Sequence, residues 1–389
     1  MHSLKRAVRL SVQWAAGMVA MTIYAIVVIP YSRLDRRRRA DRRPRVVWGP
    51  IPIVNIHYCS LADRAFGYPS ETLVYSVYSI NARRNFDRVL DRFARVPLLR
   101  EVVPFFAFVD AGLRYDIFGF FYDGGLLWAT PFWRIELALL RLAGKSIIVY
   151  PYGSDARLPS ATRARGGWHA YTDVVPGEED RDETEVQSRM AAFARYANVM
   201  LGCADLFEDL PRCDGIMRYA FDDTQWAPID APDDGIVRVV HAPNHRHYKG
   251  TRFLVDAVDE LRREGLPVEL ILIEGMPTDE AREHYARADI VADQFLIGAY
   301  ALFAIEGMAL GKPVVCYLNE RFYAAHPEWG EAPIVSADPD SLKAKLRDLV
   351  EDADSRRRLG ARGPEYVRKY HSLASVGADL DRWYREAWS

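Results

Sequence analysis

The sequence predicts an α/β fold with two doubly wound, Rossmann-like domains facing a cleft, preceded by an N-terminal membrane helix. Continuous apolar runs alternate with amphipathic, helix-like segments, a pattern typical of parallel sheets that are buried on both faces. A join rich in Asp and Pro, near residues 222–235, divides this alternation into two halves. The stretch from Leu10 to Ser32 is uncharged and long enough for one membrane span.

The overall composition excludes several classes of protein. Half of the 389 residues are hydrophobic and 27% are charged, as in globular proteins, and the formal net charge is −2. A chain this close to neutrality has no general electrostatic affinity for nucleic acid, so we expect no nucleic-acid partner. The four cysteines form no C-x-x-C pair and have no histidine at zinc spacing. We therefore expect reduced cysteines, a cytosolic setting and no metal site.

The N-terminal segment, residues 1–32, is predicted to be a transmembrane or anchor helix. Residues 33–45 follow as a basic juxtamembrane linker with eight Arg against two Asp. Because this basic excess lies on the C-terminal side of the apolar stretch, the positive-inside rule places the rest of the chain in the cytoplasm. We expect the protein at the inner (cytoplasmic) membrane, single-pass or monotopic, contacting it through residues 10–32 and the Arg cluster at 33–45.

Three other interpretations of the apolar stretch stay open. A cleaved signal peptide usually has a shorter apolar core, and a dense Arg cluster directly after it would oppose export. The stretch is also compatible with an apolar helix packed on the globular part. The third alternative is a monotopic helix that lies in the membrane interface.

The first Rossmann-like domain is assigned to residues 46–225. Its predicted strands are the apolar runs at 45–49, 115–121, 145–152 and 198–204. One helix is predicted over 132–143, where Gly144 ends it. The stretch 46–114 is otherwise placed by elimination.

The second Rossmann-like domain is assigned to residues 230–364, where the alternation of strands and helices is clearer. Its predicted strands lie at 236–242, 268–275, 289–295, 312–317 and 332–337. Helices are predicted at 251–264, near 278–286 and near 300–310, and two more follow the last strand. Residues 365–389 are predicted to form a C-terminal helix that returns to the first domain.

Basic side chains are concentrated in the stretch HAPNHRHYKG, between a predicted strand and a predicted helix. Ligands of open α/β sheets bind beyond the carboxyl ends of the strands, and a helix N-terminus attracts anions. Arg246 and Lys249 in this position predict a phosphate site, with Arg as a fork and Lys as a point charge. His241 is expected to line the same cleft. A solvated basic loop is the alternative.

A second candidate segment is ADQFLIGAYALFAIEGMALGKPVV, residues 292–315. Gly298 and Ala299 are small and precede a helix, so that the backbone can approach a phosphate closely. Glu306 is a lone carboxylate on an otherwise apolar helix, and a buried carboxylate needs a partner. A ribose diol offers two O–H donors to it, and a bond to backbone N–H groups or to Lys or Arg is the alternative. Glu274, in the turn EGMP, would line one side of a binding site for a nucleotide base.

The candidate loop of the first domain is YPYGSDAR, which follows an apolar strand and faces the expected cleft. Its polar or conformationally unusual residues are Tyr152, Gly153, Ser154, Asp155 and Arg157. A helix N-cap by Ser154 or Asp155 is the structural alternative.

These segments together resemble the GT-B glycosyltransferases, close to the retaining family 4 type. HAPNHRHYKGT, EG and DQFLIGAYALFAIEGMALGKPVV resemble the nucleotide-sugar half, whereas YDIFGFFYDGGLL and VYPYGSDAR resemble the acceptor half. The resemblance covers about residues 115–389 and is most specific over 241–315. Gly298 stands where the family pattern has the first of two glutamates, and Tyr152 stands where a His is usual.

The resemblance implies a GT-B fold and a nucleotide sugar, UDP- or GDP-linked, as co-substrate, with no cofactor and no metal. The donor site would comprise His241, Arg246, Lys249, Glu274, Gly298, Ala299 and Glu306. The acceptor side would comprise Tyr152, Gly153, Ser154 and Arg157. Asp155, Arg246 and Lys249 are expected to be catalytic, the two cations because negative charge grows on a departing diphosphate.

The expected function is glycosyl transfer from a nucleotide sugar to a lipid-linked or glycan acceptor at the cytoplasmic membrane face, in cell-surface polysaccharide assembly. The rival is a non-catalytic GT-B-like binding or scaffold subunit of a membrane glycan-assembly complex. The missing glutamate at Gly298 favours the rival. Arg246 and Lys249 disfavour it, because a protein without activity has little need of a diphosphate clamp.

Overall fold

The computed structural model describes residues 2–38, 42–94, 96–175, 182–276 and 278–388, which form two α/β domains with parallel sheets. In these ranges the strands of the first domain are β1 (Val46–Trp48), β2 (Ser70–Val74), β3 (Arg88–Val89), β4 (Ile117–Phe120), β5 (Ser146–Val149), β6 (Val199–Gly202) and β7 (Gly215–Ile216). Its helices are α1 (His2–Ile23), α2 (Ile29–Arg38), α3 (Val54–Ala65), α4 (Asp91–Ala94), α5 (Pro97–Arg114), α6 (Trp133–Leu142), α7 (Pro159–Ala164) and α8 (Glu183–Tyr196).

The first sheet has the order β3-β2-β1-β4-β5-β6-β7, with all neighbours parallel. Its side chains alternate between two hydrophobic cores. Phe118 and Phe120 of β4 belong to the core formed with α5, α6 and α8. Ile117 belongs to the opposite core, formed with α3 and the C-terminal helix. This alternation explains why the strands read as continuous apolar runs.

The second domain contains β8 (Val237–His241), β9 (Val268–Leu272), β10 (Ile290–Ala292), β11 (Val314–Val315) and β12 (Ile334–Val335), in the parallel order β12-β11-β10-β8-β9. Its helices are α9 (Arg246–Lys249), α10 (Thr251–Arg263), α11 (Thr278–Ala286), α12 (Leu302–Ala309), α13 (Leu342–Glu351) and α14 (Ala353–Tyr370). From β8 the chain first adds β9 on one side of the sheet and then β10 on the other side. The gap between the loops that follow β8 and β10 is therefore a topological switch point.

The last helix, α15 (Leu373–Trp388), packs on α3 of the first domain. Tyr384 Oη donates to Asp63 Oδ1 at 2.7 Å, and Tyr68 Oη donates to Asp381 Oδ1 at 2.7 Å. Burial raises the pKa of Asp63 to about 7. The chain therefore returns from the second domain to the first and is held there by buried polar contacts.

The N-terminal helix runs from α1 through a π-helical turn, Tyr24–Val28, directly into α2. Its residues at positions 13, 17, 20, 24, 28 and 32 are buried against the first domain. From position 20 the spacing is four residues, which in a regular α-helix rotates the stripe by about 40° per step. The i→i+5 turn offsets this rotation and keeps one face on the protein.

The buried stripe packs on α5 and on the start of α6. The Tyr24 ring stacks on Phe108 with 4.3 Å between centroids, and Trp14 meets Phe132 edge-on at 4.9 Å. The helix is long and apolar enough to cross a membrane, but its inner face belongs to the core of the first domain. For this inner face, the alternative interpretation from the sequence, an apolar helix packed on the globular part, agrees with the structure.

The Arg cluster is partly docked on the protein. Arg33 and Arg36 donate to main-chain carbonyls at the end of α6, at 2.8 and 3.0 Å, and the Arg36 guanidinium lies 4.1 Å from the ring centre of Trp388. Residues 33–38 are helical and continue the N-terminal helix. Residues 39–41 of the cluster lie outside the described residues. The exposed members are Arg33, Arg37, Arg38, Arg42 and Arg43.

Several elements differ from the sequence-based expectation. The stretch 46–114 contains β2, β3, α3 and α5, which the sequence analysis did not locate. The apolar run at 145–152 extends beyond β5, because Tyr150 in the following loop is also buried. Three helices follow the last strand, and the last of them, α15, begins at Leu373 and not at residue 365.

Candidate functional site

The loops after β8 and β10 meet at the switch point of the second sheet. Both candidate segments of this domain leave the sheet here, one after His241 and the other after Ala292. Because β8 and β10 are hydrogen-bonded neighbours, the two loops begin side by side. The sequence-based placement of a ligand site at this edge agrees with the topology.

Lys249 and Asp293 connect the two loops. Lys249 Nζ donates to Asp293 Oδ1 at 2.8 Å, and Asp293 Oδ2 accepts the N–H of Ala301 at 2.7 Å, directly before α12. Asp293 is 1% exposed, so one buried carboxylate both orients the ammonium and holds the residue that precedes α12. An ammonium has three donors, of which Asp293 uses one. The remaining donors are available to an anion at the N-terminus of α12.

Arg246 and Glu274 also lie together. Arg246 Nε donates to Glu274 Oε1 at 2.6 Å, and a second guanidinium nitrogen donates to Oε2. The two side chains are 54% and 38% exposed. Exposed pairs of this kind contribute little to stability. Arg246 can therefore exchange Glu274 for a ligand anion at small cost.

His241 is buried in the sheet and does not line the cleft. It is the last residue of β8, and its Nδ1 and Nε2 lie 2.7 Å from the carbonyl oxygen of Ala292 and 2.9 Å from Thr251 Oγ1. Burial lowers its pKa to about 4, so the ring is neutral at physiological pH. The structure corrects the expectation of a donor-binding His241, because both nitrogens hold β8 to β10 and to the start of α10.

Glu306 is a buried carboxylate without a hydrogen bond. It lies on α12, is 9% exposed, and receives no N–H or O–H donor from the part of the chain that the structure describes. Burial and, to a smaller extent, the charge of Asp293 raise its pKa to about 8. A buried carboxylate is costly without a partner. The structural alternative, a bond to backbone N–H groups or to Lys or Arg, is therefore not found among the described residues. The carboxylate oxygens are not among the fully enclosed atoms that lack a partner, so they keep some contact with solvent and a ligand can reach them.

Gly298 occupies a position that only glycine tolerates. Its φ is +83°, and a Cβ there would lie 2.7 Å from Asn319 Cβ. The carboxylate that the family pattern places at this position has no room in this backbone. Ala299 beside it is fully buried, and its carbonyl accepts from the Gln294 side chain.

Asp155 holds the strand-end loop of the first domain together. Its Oδ1 accepts the N–H groups of Tyr152 and Gly153 at 3.0 and 2.8 Å, and its Oδ2 accepts that of Tyr122 at 3.0 Å. It is 1% exposed, and burial raises its pKa to about 7. The helix N-cap alternative does not describe this geometry, because the three donors precede Asp155 in the chain and the next helix, α7, has Leu158 at its N-cap without a side-chain bond. A catalytic Asp155 does not fit the geometry either, because three main-chain donors enclose the carboxylate and leave no path for an acceptor hydroxyl.

Some of the other predicted acceptor-side residues lie at the surface of this loop, and one is buried in the protein interior. Tyr152 Oη donates to Asp123 Oδ2 at 2.6 Å. Arg157 is 7% exposed and pairs with both oxygens of Asp205, at 2.7 and 2.8 Å. The structure therefore places the Arg157 guanidinium in a buried ion pair instead of the open cleft. The half-buried residues of the loop are Tyr152, Gly153 and Ser154.

The loop after α7 crosses from the first domain to the second. Asp173 accepts from Arg252 Nε at 2.6 Å and lies 3.6 Å from His247 Nδ1. Tyr171 meets Tyr248 edge-on, with 5.6 Å between ring centres. The basic loop of the second domain thus faces a side chain of the first domain across the cleft.

Sequence reasoning missed Asp293, Asp123 and Asp173. Asp293 follows an apolar strand inside a segment that was already a candidate, so its strand-end position could have identified it. Asp123 follows β4 in the same way. Asp173 has no comparable signal, because its contacts are made with a distant part of the chain.

Solved structures share this architecture. Sucrose-phosphate synthase from Thermosynechococcus elongatus superposes with a TM-score of 0.59 and 15% identity, covering 89% of this chain and 99% of that chain. HepE of Anabaena, solved in complex with UDP-glucose, gives 0.54 and 12%, covering 87% and 99%. An alpha-glucosyltransferase, solved with UDP and a DNA 13-mer, gives 0.52 and 11%, covering 88% and 99%.

At these identities the likeness establishes the fold. The chain has the GT-B fold, with two parallel-sheet α/β domains, as the sequence predicted. No family model matches the sequence, and no curated protein matches it. The narrower assignment to the retaining family 4 type stays a prediction.

Proposed function

We propose that the protein is a glycosyltransferase that takes a sugar from a UDP- or GDP-linked donor and transfers it to an acceptor in the cleft. The observation that carries this proposal is Glu306, a largely buried carboxylate that receives no donor from the described residues and lies within electrostatic reach of Asp293 at the switch point. A nucleoside diphosphate offers what the site lacks. Its ribose has two hydroxyl donors for Glu306, and its phosphate oxygens accept from Lys249.

The GT-B fold is compatible with this chemistry but does not by itself imply it. HepE was solved with UDP-glucose and the alpha-glucosyltransferase with UDP. Those ligands belong to those proteins, since identity is 12% and 11%. For this chain the argument comes from the arrangement of Lys249, Arg246 and Glu306 around two neighbouring strand ends.

The proposed reaction breaks the bond between the anomeric carbon and a diphosphate oxygen and forms one from that carbon to an acceptor hydroxyl oxygen, whose proton passes to the leaving diphosphate. Negative charge grows on the diphosphate as its bond breaks. Lys249, Arg246 and the N-terminus of α12 supply donors for this charge. Because these donors are side chains and backbone N–H groups, we propose that transfer needs no metal. Retention of the anomeric configuration is proposed on the resemblance alone.

The acceptor is proposed to be a lipid-linked or glycan molecule at the cytoplasmic membrane face, in cell-surface polysaccharide assembly. Near its beginning, the apolar helix contacts Glu101 through Arg9 at 2.8 Å, and Trp14 contacts Phe132. These contacts lie near the beginnings of α5 and α6. Helices that connect parallel strands begin near the carboxyl edge of the sheet. The apolar helix therefore extends to the edge on which the cleft opens.

A non-catalytic GT-B-like scaffold is the second candidate, and one observation favours it. Gly298 excludes any side chain, so the first carboxylate of the family pattern is absent. A scaffold would bind nucleotide without turnover or would not bind it.

The test is calorimetric titration of UDP and GDP into the full-length protein in detergent. The variant is Glu306→Ala, and the control is Glu269→Ala, an exposed carboxylate of the same domain. We expect one nucleotide to bind the wild type and the control, and to bind Glu306→Ala at least about tenfold more weakly. Absence of binding to the wild type at millimolar nucleotide would overturn the proposal. Binding without transfer of a labelled sugar to membrane lipid or glycan would favour the scaffold.

A further inference from the structure

The first domain presents a broad apolar surface that the rest of the described chain does not cover. On α1 and its π-helical continuation the exposed side chains include Leu10, Trp14, Met18, Val19, Ile23 and Ile26, which are 40–69% exposed. On α5, Leu98, Leu99 and Phe106 are 60%, 46% and 63% exposed. Since α1 packs directly on α5, the two sets form one surface, called here the α1–α5 face.

The α1–α5 face depends on α1 remaining on the domain. Gln13 Nε2 donates to Glu101 Oε2 at 2.6 Å and is 3% exposed. Further along, Ser32 Oγ donates to the carbonyl of Gly112 at 3.1 Å. A Cβ at Gly112 would lie 2.7 Å from the Tyr24 ring, so the helices are in close contact. A helix crossing a bilayer away from the domain would lose these contacts and place Gln13 in hydrocarbon without its partner.

Cations lie at both ends of the α1–α5 face. Between residues 6 and 38 there are six Arg and one acidic residue. That residue, Asp35, is held by Arg45 at 2.9 Å. At the beginning of the face Arg9 pairs with Glu101 of α5 at 2.8 Å and Arg6 is exposed, and Arg37 and Arg38 are exposed at its far end. An apolar face bordered by cations is complementary to the interface of an anionic bilayer.

We propose that the α1–α5 face docks in the plane of an anionic membrane, and that α1 lies in the interface and does not cross the bilayer. This proposal rests on the membrane location proposed above and is independent of the sugar chemistry. It assigns α5, a helix far from the apolar N-terminal stretch in sequence, to the same membrane contact. It also places the beginnings of α5 and α6, and the cleft edge beside them, next to the lipid surface.

The first experiment measures binding. Full-length protein is mixed with preformed vesicles of phosphatidylcholine, with or without phosphatidylglycerol, and floated on a density gradient. We expect binding to be stronger with phosphatidylglycerol. Phe106→Glu should weaken it about tenfold, since it places a charge where an apolar ring enters the interface. Ile236→Glu, at a 41% exposed apolar residue of the second domain, is the matched control and should bind as the wild type does.

The second experiment distinguishes docking from crossing. The protein carries one epitope tag at each terminus, and protease is added outside the vesicles after binding. In-plane docking predicts that both tags are cleaved. Protection of the N-terminal tag, together with unchanged binding of Phe106→Glu, would overturn in-plane docking while the membrane location stands.

Two other outcomes contradict the proposal in separate ways. If the wild type binds neither kind of vesicle, the membrane location itself fails, whatever the result of nucleotide titration. If the protein instead forms a dimer that Phe106→Glu dissociates and that does not bind lipid, the α1–α5 face belongs to a second copy of the chain. Far-UV circular dichroism of each variant confirms that loss of binding is not loss of fold.

Discussion

Lys249 Nζ lies 2.8 Å from Asp293 Oδ1, and the other oxygen of the same carboxylate accepts the N–H of Ala301, directly before the helix that carries Glu306. This contact joins the basic loop after β8 to the end of β10 and to α12. The cation is thus oriented by a buried carboxylate before any ligand arrives. Such preorganisation is what stabilisation of a leaving diphosphate requires.

Removal of Lys249 should affect stability and binding together. Lys249→Met leaves the Asp293 carboxylate buried without its cation, which typically costs about 3–5 kcal/mol. The double variant Lys249→Met/Asp293→Asn removes both charges, so we expect it to recover most of the lost stability but not nucleotide affinity. Urea unfolding and calorimetric titration measure the two quantities. Wild-type affinity in the double variant would show that Lys249 does not bind the donor.

Arg246 is expected to act on binding alone. Its pair with Glu274 is exposed, so Arg246→Ala should leave the thermal unfolding midpoint unchanged. Nucleotide affinity should fall about tenfold, because a charge-assisted hydrogen bond to phosphate is lost. Arg262→Ala, at a residue of α10 that is 61% exposed, is the control in the same titration. Equal affinities of the two variants would remove Arg246 from the donor site.

Glu306 should make stability depend on pH. Its pKa is about 8 in the folded protein against 4.5 as an ordinary value. Between these values the folded state holds a proton that the unfolded state lacks, so stability falls as pH rises from about 4.5 through about 8. Glu306→Gln should remove this part of the decline. Thermal unfolding of both proteins across this pH range measures the difference, and parallel curves would contradict the assignment.

Asp155 should prove structural. Asp155→Asn puts an NH₂ group against a main-chain N–H donor, and we expect a loss of about 1–3 kcal/mol in unfolding free energy. Nucleotide affinity should be unchanged, because the loop lies in the other domain. Urea unfolding and calorimetry test both expectations. Abolished sugar transfer with unchanged stability would restore a catalytic role.

Tyr24 should be part of the core of the first domain. It is fully buried and stacks on Phe108, so Tyr24→Ala is expected to lower stability by about 3–5 kcal/mol. Tyr31→Ala, at a residue of the same helix that is 45% exposed, should cost much less. Urea unfolding in detergent compares the two variants. Equal effects would show that the helix is a detachable anchor.

The second domain could be predicted well from the sequence because its signals are local. Each buried strand is followed by a helix with a clear apolar face, and the basic loop and Glu306 stand at the expected strand end and on the following helix. The stretch 46–114 could not be predicted in the same way. In this stretch β3 has only two residues and α5 contains Pro104. Neither the two-residue period of a strand nor the roughly 3.6-residue period of a helix can therefore be recognised there.

Residue roles were harder to predict than residue positions. His241 and Asp155 both stand at strand ends, where functional groups are common, but tertiary burial gives each a complete set of protein partners. The two faces of α1 could not be told apart from the sequence either. Its composition suits a membrane, and only the packing shows that Gln13 and Tyr24 face the protein.

The measurement that tests the donor site most directly is thermal unfolding of the wild type and of Glu306→Ala with a panel of UDP- and GDP-sugars. A ligand that binds only the native state raises the unfolding midpoint. We predict that at least one nucleotide sugar raises the midpoint of the wild type and does not raise that of Glu306→Ala. A panel that leaves the wild type unchanged at millimolar concentration, or that raises both midpoints equally, would contradict the proposed donor site.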